Sequence, residues 1–293
     1  MRMNYFQRFR GSTLRVAQWR LISALGIDTF HRIPGARFRM YLEPKFRSVG
    51  SLAVYSLGLD YEEALKLLPD LLGPGDGFLD CGANQGVFAL FAADLVGATG
   101  RVVAIEPQAY AVRSLRLSAT ANDFHHLTVR QAAVSDEDGQ AMFGVGDEPV
   151  AASLSKPDAA NAIQVDTVRL DTVLADFGDR GVSVLKLDVE GAEEAALRGA
   201  ERLLAQHRPH IIFEAYNASD ASTQGVYARL REEGYEFFLP EDGALTPLGD
   251  ERRESFNILA VHPTRKAGVA GLIRGPAGAP RPARPALGLE AQA

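Results

Sequence analysis

The chain has 293 residues, 46% of them hydrophobic and 23% charged, which suits a globular protein large enough for a full hydrophobic core. Its net charge of −6 argues against a protein that mainly binds nucleic acid, because phosphate contacts require basic clusters. The single cysteine, Cys81, excludes a disulfide within the chain and a cysteine-based zinc site. There is no apolar run near the length of a membrane span and no apolar signal-peptide core, so we expect a cytoplasmic protein.

Residues 1–50 are predicted to form a basic, partly helical arm. Nine arginines and one lysine stand here against two acids, Asp28 and Glu43. Apolar residues recur at roughly helical spacing, with arginines on the opposite face: Phe6, Phe9, Leu14, Ala17, Leu21 and Leu25 against Arg8, Arg15 and Arg20. We favour a helix that packs its apolar face on its own domain and leaves its basic face in solvent. Contact with an anionic lipid surface is the alternative.

Residues 51–262 are predicted to form one α/β domain. Strands are expected near 77–81, 101–106, 127–133, 182–188, 209–215, 235–239 and 257–262, with short extra strands at 140–145 and 165–169. Helices are expected at 60–72, 86–96, 108–122, 190–206 and 221–233. This alternation with short turns predicts a mostly parallel, doubly wound sheet with helices on both faces.

Two segments show no periodic pattern. Residues 263–293 are rich in alanine, glycine and proline, and we predict a disordered tail. Residues 145–165 form a predicted loop in which Ser153 and Lys156 could touch substrate or cofactor; an ordinary surface loop is equally compatible.

The stretch "GFLDCGANQGVFAL", Gly77 to Leu90, runs from a strand through a glycine turn into a helix. Gly82 and Gly86 permit close approach of a ligand, and such turns lie at the ligand-binding edge of a parallel sheet. A dinucleotide fingerprint starting at Gly82 would need glycines where Asn84 and Val87 stand, and the Walker lysine is absent. The turn therefore lacks the usual phosphate-binding residues and favours a ligand without a phosphate group.

Two acids end the strands on either side of this turn. Asp80 ends the first strand, where a carboxylate suits an ammonium group better than a pyrophosphate, and Glu106 ends the next, "VVAIEP", 26 residues later. An acid at the second position can accept hydrogen bonds from ribose hydroxyls. The third strand brings Val134 to the same edge, where its side chain could pack against an adenine. Together these residues predict S-adenosylmethionine, although Asp80 alone could cap the turn and Glu106 could be an ordinary strand-end acid.

Several carboxylates also gather at the ends of the following strands. Asp188 and Glu190 follow "SVLKL", and Glu214 ends "HIIFEA". Carboxylates in a cleft are costly unless they meet cations, substrate hydroxyls or a shared proton.

These stretches resemble the FkbM family of S-adenosylmethionine-dependent methyltransferases. The resemblance covers roughly residues 55–240 and rests on "FLDCGANQG", "VVAIEP", "VDTVRLDTVL", "LKLDVEGAEEAALRGAERLL" and "RPHIIFEAY". It implies a Rossmann-like class I methyltransferase fold with a seven-stranded sheet, and methyl transfer, most often to a hydroxyl of a sugar, polyketide or other small metabolite. It further implies that the methionine part of the cofactor is contacted by Asp80, Gly82, Asn84 and Gly86. By the same resemblance, Glu106 would hold the ribose, and Asp188 and Glu190 would face the transferred methyl group and the substrate.

A hydroxyl acceptor gains from a general base, and Asp188 is the first candidate, with Glu190 and Glu214 second. No metal ligand is assigned, but Asp188 and Glu214 could instead offer oxygen ligands to Mg²⁺. Acids in the first turn of a helix also offset its dipole, so Glu190 and Glu193 have a structural alternative.

Three rival functions stay open from the sequence. A nicotinamide-dependent oxidoreductase is disfavoured by Asp80 and by the missing third glycine. A ribose or nucleic-acid methyltransferase is disfavoured by the acidic balance and by "LDVEG" where a base-gripping proline motif would stand. A non-catalytic binding protein is disfavoured by the intact cofactor residues. We expect a small hydroxylated acceptor and no nucleic-acid partner.

Overall fold

A computed structural model describes residues 12–43, 49–144, 162–215, 221–249 and 255–274. Its helices are α1 Thr13–Leu25, α2 Val49–Leu57, α3 Glu63–Leu71, α4 Val87–Val96, α5 Ala109–Ala121, α6 Leu170–Val173, α7 Glu193–Arg198, α8 Ala221–Glu232 and α9 Lys266–Val269. Its strands are β1 Thr29–Arg32, β2 Arg39–Leu42, β3 Gly77–Cys81, β4 Arg101–Ile105, β5 Leu127–Arg130, β6 Ala133–Val134, β7 Gly139–Gly144, β8 Ala162–Val168, β9 Val184–Leu187, β10 His210–Ala215, β11 Glu236–Glu241, β12 Ala244–Pro247 and β13 Ser255–Val261.

The main sheet has the strand order β12-β11-β13-β10-β9-β3-β4-β5. Its five strands from β5 to β10 run parallel, and β13, β11 and β12 pair antiparallel. The predicted Rossmann-like α/β sheet is confirmed, and an eighth strand, β12, joins the expected seven. It arises because Asp242 and Gly243 both have positive φ, 51° and 65°, which suits the tight hairpin that links β11 to β12.

The core lies on both faces of this sheet. Successive side chains of a strand point to opposite faces, so Phe78 joins one apolar cluster and Leu79 the other, and Val184 and Leu185 divide in the same way. β3 and β9 are buried along their whole length. A strand buried on both faces has to be almost wholly apolar, which leaves its polar residues to the strand end.

A second, three-stranded sheet of order β6-β8-β7 lies beyond β5. The single strand expected at 127–133 is split, because β5 ends at Arg130 and β6 begins at Ala133 and pairs with β8 instead. The two extra strands expected at 140–145 and 165–169 are present as β7 and β8. Ser153 and Lys156 lie outside the described residues.

The helix expected at 190–206 is interrupted. Glu190 and Gly191 have positive φ, so the helix α7 begins only at Glu193 and ends before Gly199. A side chain at Gly199 would put its Cβ 2.4 Å from the backbone oxygen of Ser135, which explains the glycine there. A separate π-helical turn, Leu203–His207, completes the connection to β10.

Helix α1 packs through the face opposite to the one we expected. Trp19 is buried with its ring 5.1 Å from that of Tyr55, and the Arg15 guanidinium lies 4.4 Å over the same Tyr55 ring and donates to its backbone oxygen at 2.7 Å. The predicted apolar face is exposed instead, including Leu21 and Leu25. The helix therefore packs on its own domain, but through Trp19 and Arg15 and not through the expected aliphatic face, because an aromatic contact with α2 takes the place of the aliphatic one. Phe6, Phe9 and Arg8 lie outside the described residues.

The predicted disordered tail is also wrong for its first residues. Residues 263–272 form short helical turns that bury Val269 and Leu272. Ile273 then bridges to Leu245, and the amide of Arg274 donates to the Leu245 oxygen at 2.8 Å. Residues 275–293 lie outside the described part of the chain. No helix in the described ranges has both the length and the apolar character to cross a bilayer.

Candidate active site

A cavity of about 500 Å³ opens at the carboxyl ends of the central parallel strands. This is the edge at which doubly wound sheets bind ligands, because the chain leaves each strand there and the loops diverge. All nine residues that the sequence singled out for cofactor or catalysis line this cavity: Asp80, Gly82, Asn84, Gly86, Glu106, Val134, Asp188, Glu190 and Glu214.

The turn between β3 and α4 has three residues with positive φ: Gly82 at 76°, Asn84 at 48° and Gly86 at 89°. A Cβ at Gly82 would lie 1.8 Å from the backbone oxygen of Asp188, and one at Gly86 would lie 2.1 Å from Leu115. Asn84 tolerates this conformation because its side-chain oxygen accepts a hydrogen bond from the next amide, at 2.8 Å. The glycines therefore press the turn against the end of β9 and leave backbone facing the cavity.

Glu106, just after β4, ties this turn to the neighbouring strand. One carboxylate oxygen accepts from the Asn84 amide at 2.8 Å, and the other accepts from the Gln108 amide at 2.9 Å. Burial raises the pKa of Glu106 to about 7, and the two amide donors act against that rise. Each carboxylate oxygen keeps a further lone pair, so the side chain can hold the turn and still accept from a ligand hydroxyl.

Asp80, near the end of β3, is almost fully buried, with 1% of its surface exposed. Neither carboxylate oxygen has a side-chain hydrogen-bond partner among the described residues. Burial raises the pKa of Asp80 to about 7, although the charge of Lys186 and the backbone of Ala89 lower it. A buried carboxylate with so few donors is costly, so this position favours a ligand that brings a cationic N–H group.

Lys186 supplies a buried positive charge to the cavity. Its Nζ atom donates to Oδ2 of Asp188 at 2.6 Å and lies 4.7 Å from the ring centroid of Phe88. Burial alone would lower the pKa of Lys186, but the carboxylates of Asp188, Asp80 and Glu62 outweigh it and raise the pKa above its ordinary value. The lysine therefore stays charged inside the site.

Three carboxylates converge opposite the glycine turn. Asp188, Glu190 and Glu214 each offer an oxygen atom within 4.8 Å of the other two. Burial, followed by the charges of Asp188 and Glu190, raises the pKa of Glu214 well above its ordinary value. The Glu190 residue is exposed as a whole, but its carboxyl is partly removed from water, and this and its acidic neighbours raise its pKa to about 7. Three carboxyl groups this close together can share a proton or hold one cation.

Glu193 has the structural role that the sequence left open. It is buried, and its Oε1 atom accepts from the amides of Val189 and Gly191 at 3.1 and 3.2 Å. These two bonds close the loop that carries Glu190, which adopts a positive φ of 51°. Glu193 thus holds the loop and is absent from the cavity lining.

Several polar residues of the cavity escaped the sequence analysis, and Glu62 and Asn257 are a pair among them. Glu62 precedes α3 and accepts a hydrogen bond from the side-chain amide of Asn257 in β13, at 2.7 Å. Burial raises the pKa of Glu62, and Lys186 acts in the opposite direction. Neither residue follows a recognisable motif, because each reaches the cavity from a different edge of the fold.

Known proteins match this chain over more than half of its length. The model of the family described as "Methyltransferase FkbM domain" matches residues 80–237. The 31-O-demethyl-FK506 methyltransferase FkbM of Streptomyces tacrolimicus is 30% identical over 205 residues, which cover 58% of this chain and 76% of that protein. A 126-residue stretch is 32% identical to the AMB antimetabolite synthetase AmbE of Pseudomonas aeruginosa and covers 42% of this chain but 6% of AmbE.

Among solved structures, the methyltransferase FkbM from Methylobacillus flagellatus aligns with 72% of this chain, at 19% sequence identity and a TM-score of 0.43. The chain spans about half, 53%, of the length of that crystallised protein.

Proposed function

The chain belongs to the FkbM family of S-adenosylmethionine-dependent methyltransferases, and on this premise we propose that it methylates a hydroxyl oxygen of a small polar acceptor, such as a sugar. The observation that carries the proposal is the convergence of Asp188, Glu190 and Glu214 opposite the glycine turn. The family match favours neither a nicotinamide-dependent oxidoreductase nor a nucleic-acid methyltransferase.

The residues around the glycine turn fit the cofactor of this family. The carboxylate of Asp80, which no side chain hydrogen-bonds among the described residues, suits the ammonium group, Glu106 suits the ribose hydroxyls, and Val134 offers an apolar wall for the adenine. The backbone that Gly82 frees would border the methionine part. When bound, S-adenosylmethionine supplies an electrophilic methyl group on a sulfonium, which leaves as a neutral thioether once the methyl has been transferred.

The carboxylate cluster would take the proton that the acceptor hydroxyl loses as its oxygen gains the methyl group. A general base works best when its pKa lies near the working pH, and burial with mutual repulsion brings Glu190 and Glu214 toward or above that range. Asp188 is held in place by Lys186 through one oxygen and keeps the other for the acceptor. We therefore assign the base to the cluster as a unit, with Asp188 orienting the hydroxyl.

The acceptor would be rich in hydroxyl groups. Carboxylates accept hydrogen bonds and donate none when ionised, so a wall of them binds hydroxyl donors and repels anionic acceptors. The relative from Streptomyces tacrolimicus is named for methylating 31-O-demethyl-FK506, which supports transfer to oxygen. An acceptor with a carboxylate group would fit less well, because it would need a cationic side chain to bind it. Lys186 does not serve this purpose, since its ammonium already pairs with Asp188.

A divalent cation is a second arrangement that the same cluster supports, since three oxygens within 4.8 Å are close enough to share one ion. Such an ion would compete with the ammonium of Lys186 for Asp188. We therefore favour proton transfer without a metal. Turnover that a chelator abolishes and Mg²⁺ restores would overturn that preference.

The test combines S-adenosylmethionine that is labelled with ¹³C in its transferred methyl group with a panel of sugars, polyols and amines. We expect an O-methyl product from a hydroxylated acceptor, recognised by its ¹³C chemical shift. Binding of S-adenosylhomocysteine, measured by calorimetry, checks the cofactor separately. An N-methyl or C-methyl product would refute the oxygen assignment while leaving the methyltransferase function intact.

A further inference from the structure

Helix α1 is apolar on two opposite sides. One side packs Trp19 and Ile22 against the domain core. The other side exposes Leu14, Leu21 and Leu25, with 71%, 61% and 63% of their surfaces accessible. Their spacing of seven and four residues places all three on one face of the helix. An apolar helix face is normally buried, so the exposed leucine face calls for a partner.

Two further exposed apolar side chains follow the helix in the sequence. Ile27, in the connection to β1, and Phe30, in β1, are 45% and 39% exposed. We call these two residues and the three leucines of α1 the apolar patch. Several exposed apolar side chains so close together in the sequence, three of them on one helix face, indicate an interaction surface.

The elements that carry the apolar patch, together with β2, also carry exposed arginines. Arg20 on α1 is exposed, and so are Arg32 in β1 and Arg39 in β2, which face each other across the β1–β2 pair in register with Phe30 and Tyr41. None of the three arginines forms an ion pair with another residue in the described part of the chain. The first 50 residues hold ten basic and two acidic side chains, although the whole chain has a net charge of −6. Arg20, Arg32 and Arg39 are therefore positive charges without a counter-ion among the described residues, in the elements that carry the apolar patch and in β2.

We propose that the apolar patch docks on an anionic membrane surface. Leucine and phenylalanine side chains would enter the boundary between headgroups and acyl chains, while Arg20, Arg32 and Arg39 pair with lipid phosphates. The combination of an apolar stripe with arginines that have no protein counter-ion is what such a surface complements. Lipid contact extends beyond the methyltransferase function and does not depend on it.

A second copy of the chain fits this surface less well. A two-fold contact would place the same patch on both partners, so the arginine-rich arms of two copies would face each other. Like charges in such a contact repel.

The apolar patch lies one helix away from the cavity. Helix α1 packs on α2 through Trp19 and Tyr55, and α2 presents Ser51 and Val54 to the cavity. A bilayer against α1 would therefore lie beside the site without covering it.

The experiment is co-sedimentation of the full chain with vesicles, either of phosphatidylcholine alone or of phosphatidylcholine mixed with phosphatidylglycerol. We expect binding to the mixed vesicles only, weakened by salt, and a loss of about tenfold or more in the double variant Leu21→Ser/Leu25→Ser. The matched control is Met142→Ser/Ile163→Ser, which removes two exposed apolar side chains, 50% and 43% accessible, from β7 and β8. Binding of S-adenosylhomocysteine, unchanged in both double variants, verifies that each is folded.

Two outcomes would overturn the proposal. The first is that the unaltered chain fails to bind mixed vesicles, or that Leu21→Ser/Leu25→Ser binds them as well as the control variant does. The second is a chain that sediments as a dimer in solution and becomes monomeric only in the α1 variant, which would assign the patch to a second copy.

Discussion

The ammonium of Lys186 lies 2.6 Å from a carboxylate oxygen of Asp188, two residues further along the chain, and only 3% of the lysine side chain is exposed. This ion pair joins the two halves of the cavity. On one side the lysine charge lowers the pKa of Asp80, beside the glycine turn, and on the other it fixes Asp188 within the carboxylate cluster.

Lys186→Met should destabilise the protein by about 3 kcal/mol, because it leaves several carboxylates in the cavity without their shared cation. Urea unfolding measures this loss. Asp188→Asn and the double variant complete a mutant cycle, in which we expect the two single losses to sum to more than the loss in the double variant. Additive losses would mean that the pair contributes nothing beyond its separate residues.

Glu106→Ala should weaken binding of S-adenosylhomocysteine by about tenfold or more, since it removes the proposed ribose acceptor and both bonds to the turn. Asp188→Ala should change this affinity much less and reduce turnover instead. Calorimetry on both variants tests the division of roles. Equal losses of affinity would contradict it.

Gly82→Ala should cost about 3 kcal/mol or more, because the new Cβ would overlap the Asp188 backbone oxygen at 1.8 Å in addition to the strain of a positive φ. Gly26→Ala is the matched control. Gly26 also has a positive φ, 63°, but nothing lies within 4 Å of its added Cβ, so its cost should stay near 1 kcal/mol. Thermal or urea unfolding measures the loss of stability in each variant. Similar losses would mean that the overlap with the Asp188 backbone adds no cost.

Asp80 should make the folded state lose stability as the pH rises from about 4 to about 7. Its pKa is raised from 3.8 to about 7, so within this window the folded chain holds a proton that the unfolded chain releases. The stabilisation is complete below the unfolded pKa and is lost as pH passes the folded pKa.

Asp80→Asn cannot titrate at this position and should flatten that slope, by on the order of 3 kcal/mol between the two ends of the window. Urea unfolding at about pH 5 and about pH 8 measures the difference. The exposed Glu232→Gln, 72% accessible, is the control and should keep the slope of the unaltered protein. A slope that Asp80→Asn leaves intact would assign the pH dependence to other carboxyl groups.

The rate of methyl transfer should rise with pH as the carboxylate cluster loses its shared proton. The negative charge of Glu190 contributes to the raised pKa of Glu214, so Glu190→Gln should move the rise in rate to lower pH. Single-turnover rates across the pH range measure the midpoint. A midpoint that stays in place or moves upward would exclude Glu214 from the proton-accepting group.

Much of the cavity was predictable because its residues occupy equivalent positions in a repeating pattern. Asp80, Glu106, Asp188 and Glu214 each stand at or just past the end of a buried strand, and parallel strands end at one edge of the sheet. Local composition was therefore enough to group them. The signal for β12 was also present, in Asp242 and Gly243, but the sequence analysis overlooked this hairpin dipeptide.

Local pattern and the geometry of parallel sheets were enough to predict the alternation of buried strands and helices, the glycine turn and the acids at the strand ends. Three-dimensional packing set which apolar face of α1 is buried, since Trp19 and the exposed leucines offer competing faces. It also decided which acid Lys186 would pair with, and that Glu62 and Asn257 would meet across 195 positions of sequence. Such contacts depend on packing between distant segments, which no local pattern encodes.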